Sequence, residues 1–292
     1  MALFDFLKGQ SEPDKFAEAV LQALRARDPT AQFSYNKSEF CIDRLDRDGK
    51  LGVSGFYPHW GNKSGRGELL SYIVDFVFAD DEPLTIEAAA PQLMPIVRRR
   101  EENDSPAEGA PFTPTRPFVG DLIAAVAIDT PIRMLIVTEV HLTEWGESFE
   151  AVFERAMANL AGGGPLQYQM DASGYGWLTH DDFYGSSRLL LPELFDGLPI
   201  RGDPVAVAIN RREVAFAGAD DPKALQVMAD ACSGSFSQEP RPLYPPPLIL
   251  RDGAWSLLDT TEDRFAELQH LVDYDKAYRE GRPYVRSIFG ER

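Results

Sequence analysis

Cysteine and histidine are scarce in this chain of 292 residues, which has two cysteines, Cys41 and Cys232, and four histidines, His59, His141, His180 and His270. The cysteines stand far apart in no CxxC or Cys/His spacing, so the sequence offers no zinc framework and suits a reducing compartment. The histidines show no HExxH or other ligand spacing, so no metal site is indicated. Positive charge is also short, with 29 Lys and Arg against 46 Asp and Glu. The resulting net charge of -17 repels a phosphate backbone or an anionic membrane, which argues against nucleic acid as a partner. No apolar run approaches the roughly 20 residues that cross a bilayer. The opening "MALFDFLKGQSEPDKF" has neither a basic n-region nor a long apolar stretch. The expectation is a cytoplasmic protein with no transmembrane segment.

Familiar enzyme loops are missing as well. In "GFYPHWGNKSGRG" five bulky residues separate the glycines and Asn62 separates Gly61 from Lys63, whereas a phosphate loop needs four residues and an adjacent Lys so that its amides curl round the phosphate. "DRLDRDGKLG" fails as a calcium loop: the frame that puts Gly49 at the turn places Arg44 and Gly55 where carboxylates must coordinate. No GxGxxG or GxSxG occurs. No cofactor is predicted.

What is present is enough apolar material, 44% of residues, for a real core, and a length that favours two domains. The spacing of Phe16, Val20, Leu21 and Leu24 predicts an amphipathic helix, and Asp48-Gly49 predicts a hairpin between alternating strands. "GELLSYIVDFVFAD" reads as helix. Residues 98–117, charged and then Pro-rich, have the composition of a connection, with a boundary near residue 110. Two strands follow, "FVGDLIAAVAID" and "RMLIVT", then helices capped by Thr138 and Ser148, the first stopped by Gly146. Further on come strands in "LQYQM" and "YGWLT", a helix in "SSRLLLPELFDGL", the strand pair "PVAVAIN" and "EVAFAG", and a helix opening at Asp221-Pro222. "PRPLYPPPLIL" looks too rich in proline for a central strand and is expected to run extended across a surface. The turn pair Asp252-Gly253 precedes a C-terminal helix with Phe265, Leu268 and Val272 inward.

Together these elements predict an α+β protein: two mixed units with largely antiparallel sheets and flanking helices, plus a C-terminal helix. The units are 1–110, 111–238 and a 239–292 segment of unplaced role.

The richest polar cluster is "THDDFYGSSR", which contributes His180, Asp182, Tyr184, Ser186 and Arg188 as candidate binding residues. A loop whose polar groups cap the next element is the plain reading, because triad members converge from separate elements. Asp121 joins the candidates, since an acid in an apolar strand must reach solvent or find a partner. Asp129, before Thr130-Pro131, reads as turn chemistry.

Residues 116–160 carry, in order, Pro117-Phe118-Val119-Gly120-Asp121-Leu122, then Asp129-Thr130-Pro131, then a Met and a Val-Thr-Glu strand exit, then Trp145-Gly146 and Asn159-Leu160. This set resembles the YtpQ family, bacterial cytosolic proteins of unknown function. The likeness extends through "DDFYGSSRLLL" and "GDPVAVAINRREVAFAGADDPKAL", about half the chain. Where the family tends to carry an Asn-Leu-Tyr segment after its N-terminal hairpin, "GFYPHWGNKSGRGELL" stands here instead. The resemblance implies a fold and a cytosolic compartment, and no activity.

The sequence therefore predicts a binding or adaptor protein, with an unknown protein or small-molecule partner, acting through a sheet face or its acidic surface. The alternative is a hydrolase-like enzyme built from Asp121, His180, Asp182 and Ser186.

Overall fold

The computed structural model describes residues 11–46, 49–78, 85–104, 111–130, 134–236 and 242–281. Contacts gather into two units, Met1–Leu84 with Thr130–Arg133, and Thr85–Asp129 with Met134–Arg292. The class is α+β, and every strand pair among the described residues is antiparallel.

In the first unit, helix α1 (Glu12–Arg27) is opened by Ser11, whose hydroxyl accepts the Asp14 N–H while the Asp14 carboxylate turns back to Ser11. Phe16, Val20, Leu21 and Leu24 face inward, as their spacing requires. They pack on a three-stranded sheet of β1 (Phe33–Asn36), β2 (Cys41–Arg44) and β3 (Gly49–Gly52), and on α2 (Arg66–Phe78), the segment read as helix. The predicted hairpin joins β2 to β3; Asp48 itself lies outside the described residues.

Asp14 also takes the Lys37 ammonium at 2.7 Å. Lys37 first, then Ser11, hold its carboxyl at about 2, below the ordinary 3.8. A carboxyl depressed in the fold stabilises it above the unfolded value and loses that contribution as the folded group protonates. The difference in melting temperature between wild type and Asp14→Asn should therefore be full above pH 3.8 and vanish as the pH falls towards 2. Thermal melts across that range check it.

In the second unit, after the short helix α3 (Ile86–Ala89), β4 (Leu93–Arg99), β5 (Arg116–Pro117), β6 (Leu122–Asp129) and β7 (Met134–Ile136) form one sheet with β6 central. β4, upstream of residue 110, pairs along its whole length with β6 downstream of it. This corrects the reading of 98–117 as a bare connection: Arg98 and Arg99 end a strand and a short helix, α4 (Arg100–Asp104), follows. The short helix α5 (Glu139–Trp145) ends on Gly146 in the left-handed conformation (φ 65°), and α6 (Phe149–Ala161) starts at Ser148, both as predicted.

A second sheet runs in the order β13 (Ala254–Leu257), β12 (Tyr244–Arg251), β10 (Pro204–Ala208), β11 (Val214–Gly218), β9 (Gly176–Leu178) and β8 (Tyr168–Met170). Val205, Val207, Ala215 and Ala217 pack under α7 (Pro222–Phe236) and α8 (Gln269–Arg279), while Ala206, Ala208, Val214 and Phe216 pack with Leu178, Leu189 and Phe195. Both faces of this sheet are covered, which is why its central strands read as unbroken apolar runs. Its edge strands β8 and β13 expose side chains, Tyr168 and Leu257 among them.

The "PPP" of β12 is the clearest correction, because this strand is buried between β10 and β13 instead of running over a surface. Proline removes a ladder donor. Here the register against β10 jumps from Tyr244↔Ala208 to Leu248↔Ala206, so Pro245–Pro247 fall in a bulge, and β13 pairs only from Leu248 onward. No ladder bond needs their missing N–H groups. Two smaller corrections follow. Ser186–Leu190 and Pro192–Phe195 are 3-10 turns, with Pro192 breaking any longer helix. On α8, Leu271 is the fully buried residue and Val272 is half-buried.

Candidate functional site

The predicted cluster lies where β9 leaves its sheet. The Thr179 N–H still donates to Gln167, and His180 prolongs that ladder by accepting the Gln167 N–H on Nε2 at 2.9 Å. Burial, with the Arg188 cation second, lowers the His180 pKa against the opposing pull of Asp182. Accepting the Gln167 N–H engages the His180 Nε2 lone pair, which is then not free to act as a base.

Asp182 accepts both Arg188 Nη atoms, at 2.9 and 2.7 Å, and the Tyr184 N–H at 2.8 Å. Burial opposes its charge, but Arg188 and the Tyr184 amide prevail and keep the carboxyl below its usual range. Arg188 itself is buried. Ser186 is buried too: its hydroxyl donates to the Asn210 carbonyl and its N–H to Arg211. A carbonyl takes no proton from serine, so this bond does not activate a nucleophile. The Tyr184 hydroxyl has no partner of hydrogen-bond geometry and sits beside Asp129; burial first, then that carboxylate, pushes its pKa up.

These bonds tie the 3-10 turn to the loop between β10 and β11, and Gly185 makes the approach possible. A Cβ there would stand 1.9 Å from the Arg212 carbonyl oxygen. The two loops enclose an open groove of about 520 Å³ lined by Trp177, His180, Asp181, Asn210, Arg212 and Glu213. At its rim Arg212 lies 3.6 Å from the Asp181 carboxylate and 4.7 Å above the Phe183 ring, which is 56% exposed.

Asp121 belongs to a different construction. Its carboxylate binds Arg279 at 2.7 Å, and Arg279 also binds Asp275 at 2.8 Å. Asp275 meets Arg99 at 2.5 Å, and Arg99, only 3% exposed, further donates to the Leu243 and Pro242 carbonyls. Glu101 faces both arginines. Asp121 is therefore the outer member of an ionic network that fastens α8 to the end of β4, and the structure does not join it to the His180 cluster.

A serine–histidine contact that the sequence did not flag lies elsewhere. Ser233 on α7 meets His270 Nε2 at 2.5 Å, and His270 Nδ1 faces the Glu267 carbonyl at 2.6 Å. Ser233 sits in the last turn of α7 and donates back to Ala229, and neither residue lines the groove. The pair fastens α7 to the start of α8. Only the far-apart pairing of two helices reveals it.

Several residues of the 116–160 set carry fold-level contacts, and Pro131 lies outside the described residues. Gly120 (φ 57°) stands against the Tyr244 hydroxyl, Asp129 ends β6, and Asn159 donates to the Ala90 and Leu93 carbonyls. No described helix is long and apolar enough to cross a membrane, and no group of metal-ligating side chains occurs among the described residues. Neither a family model, nor a curated protein, nor a solved structure matches the chain.

Proposed function

We propose that this protein is a cytoplasmic binding or adaptor protein that engages a protein partner at the groove between residues 177–183 and 210–213. The carrying observation is how the polar cluster divides. Asp182, Ser186 and Arg188 spend their bonding capacity inside the fold, while Asp181, Phe183 and Arg212 are left exposed at the groove's rim. An arginine beside an exposed aromatic ring is the composition of an interface anchor. Two buried, free cysteines support the cytoplasmic reading, as does the resemblance of residues 116–160 to the cytosolic YtpQ family, which we hold as a proposal of kinship.

The test places a photo-crosslinking residue at Asp181 in the native host. We expect one discrete adduct, lost in Arg212→Glu and absent when the crosslinker stands at exposed Glu262. The competing hydrolase reading expects something else. A panel of ester and phosphoester substrates would then show turnover that disappears in a folded Ser186→Ala protein, and that result would overturn the proposal.

A further inference from the structure

We propose that two copies of this chain associate by pairing their β8 strands edge to edge, which continues the sheet across a two-fold axis at Gln169. The inference goes beyond the groove and does not rest on it.

β8 ends its sheet, and β9 is the one described strand that pairs with it. The ladder fixes which of its backbone groups turn outward. Thr179 donates to the Gln167 carbonyl and Asp171 to the Tyr175 carbonyl, so the alternation of an antiparallel pair turns Gln167, Gln169 and Asp171 towards β9. The N–H and C=O groups of Tyr168 and Met170 therefore point away from it. The side chains alternate as well. Leu166, Tyr168 and Met170 share the face of Leu178 and Phe216, and Tyr168 is 38% exposed there.

Sheet edges are commonly shielded by lysine, by proline or by an inward-pointing charge, and β8 carries none of these. Residues 156–170 form the longest run of the chain without Asp, Glu, Lys or Arg, and β8 closes that run. In a protein of charge -17, this is where a second copy meets the least repulsion. The opposite edge, β13, suits a second copy less, with Leu257 set against Gly120 and the acids Asp252 and Asp259 flanking the strand.

The β8 edge is also complementary to itself. With Gln169 opposite Gln169 of the second copy, Tyr168 stands opposite Met170 of the second copy, and these outward-facing residues exchange both of their main-chain hydrogen bonds. Each thioether then lies against a tyrosine ring. Asp171 faces the neutral Gln167 of the second copy, whereas a register centred on Asp171 would set two carboxylates against each other. The shortness of the strand, 3 residues, keeps the association weak.

Sedimentation of the full chain should show a reversible dimer with a dissociation constant of about 10 µM to 1 mM. Gln169 is exposed, so its replacement leaves the fold intact. Gln169→Lys and Gln169→Glu each set like charges across the axis and should weaken the dimer at least about tenfold, while an equimolar mixture of the two should associate more tightly than either alone. A Gln169→Cys thiol should oxidise to a disulfide-linked dimer, because the Cα atoms of a non-hydrogen-bonded pair lie about 4.5 Å apart, within disulfide reach. Cys41 and Cys232 are buried and do not compete. Gln167→Cys, also exposed, should cross-link far more slowly, since it faces Asp171 and not its own copy. A chain that stays monomeric at about 1 mM overturns the proposal and leaves the edge to an extended segment of another protein. A dimer indifferent to both charge variants, or equal cross-linking from positions 167 and 169, overturns it as well.

Discussion

Asp275→Asn is expected to cost about 3–5 kcal/mol of folding stability, the penalty for leaving one charge of a buried pair without its partner. Asp275 and Arg99 are 5% and 3% exposed, and the amide that replaces the carboxylate keeps the shape and removes the charge. Among the described residues Arg99 then remains beside the Leu243 and Pro242 carbonyls with only the half-exposed Glu101 to neutralise it. The double variant Arg99→Met/Asp275→Leu should recover much of the loss, because it removes both desolvated charges together. Asp121→Asn provides the contrast. Its carboxylate is 45% exposed, so its ion pair with Arg279 should contribute no more than about 1 kcal/mol. Urea denaturation of the three proteins measures all of this. A loss at Asp275 no larger than that at Asp121 would show that the network does not hold α8.

Gly185→Ala should destabilise by about 2–4 kcal/mol, although it adds a single methyl. The new carbon would meet the Arg212 carbonyl oxygen at 1.9 Å and its carbon at 2.6 Å, backbone atoms with no rotamer through which to yield. The 3-10 turn must then lift away from the 210–213 loop, stretching the Ser186–Asn210 hydrogen bond. The same variant should lose the crosslink from position 181, since the groove exists only while the two loops touch. Denaturation gives the first effect and crosslinking the second. A change within about 0.5 kcal/mol would rule out the close approach.

The parts that could be read from the sequence are those whose causes are local. Ser148 and Gly146 announce helix ends through their own side chains or backbone freedom. Asp252-Gly253 turns because both residues take positive φ, 50° and 74°. What stayed hidden depends on partners far along the chain. Arg99 looked like linker charge because the carbonyls and the buried carboxylate that hold it lie at 242–243 and 275. Pro245–Pro247 looked incompatible with an inner strand because the bulge that excuses them is a property of the pairing with β10. The candidate site divides in the same way. "THDDFYGSSR" marks a real knot of hydrogen bonds, but the groove needs Asn210, Arg212 and Glu213 from another loop, and Asp121 faces a different set of partners.

The distance between Arg99 and Asp275 bears on how the protein is made. At a synthesis rate of about 5–20 residues per second, the 176 residues that separate them take roughly 10–35 s to emerge. For most of that interval β4 and β6 are both out of the ribosome, yet a closed unit would enclose a guanidinium that has only the solvent-facing Glu101 and lacks its buried counter-charge. The nascent chain therefore has reason to keep the end of β4 wet until α8 emerges with the Asp275 carboxylate that lets it dry.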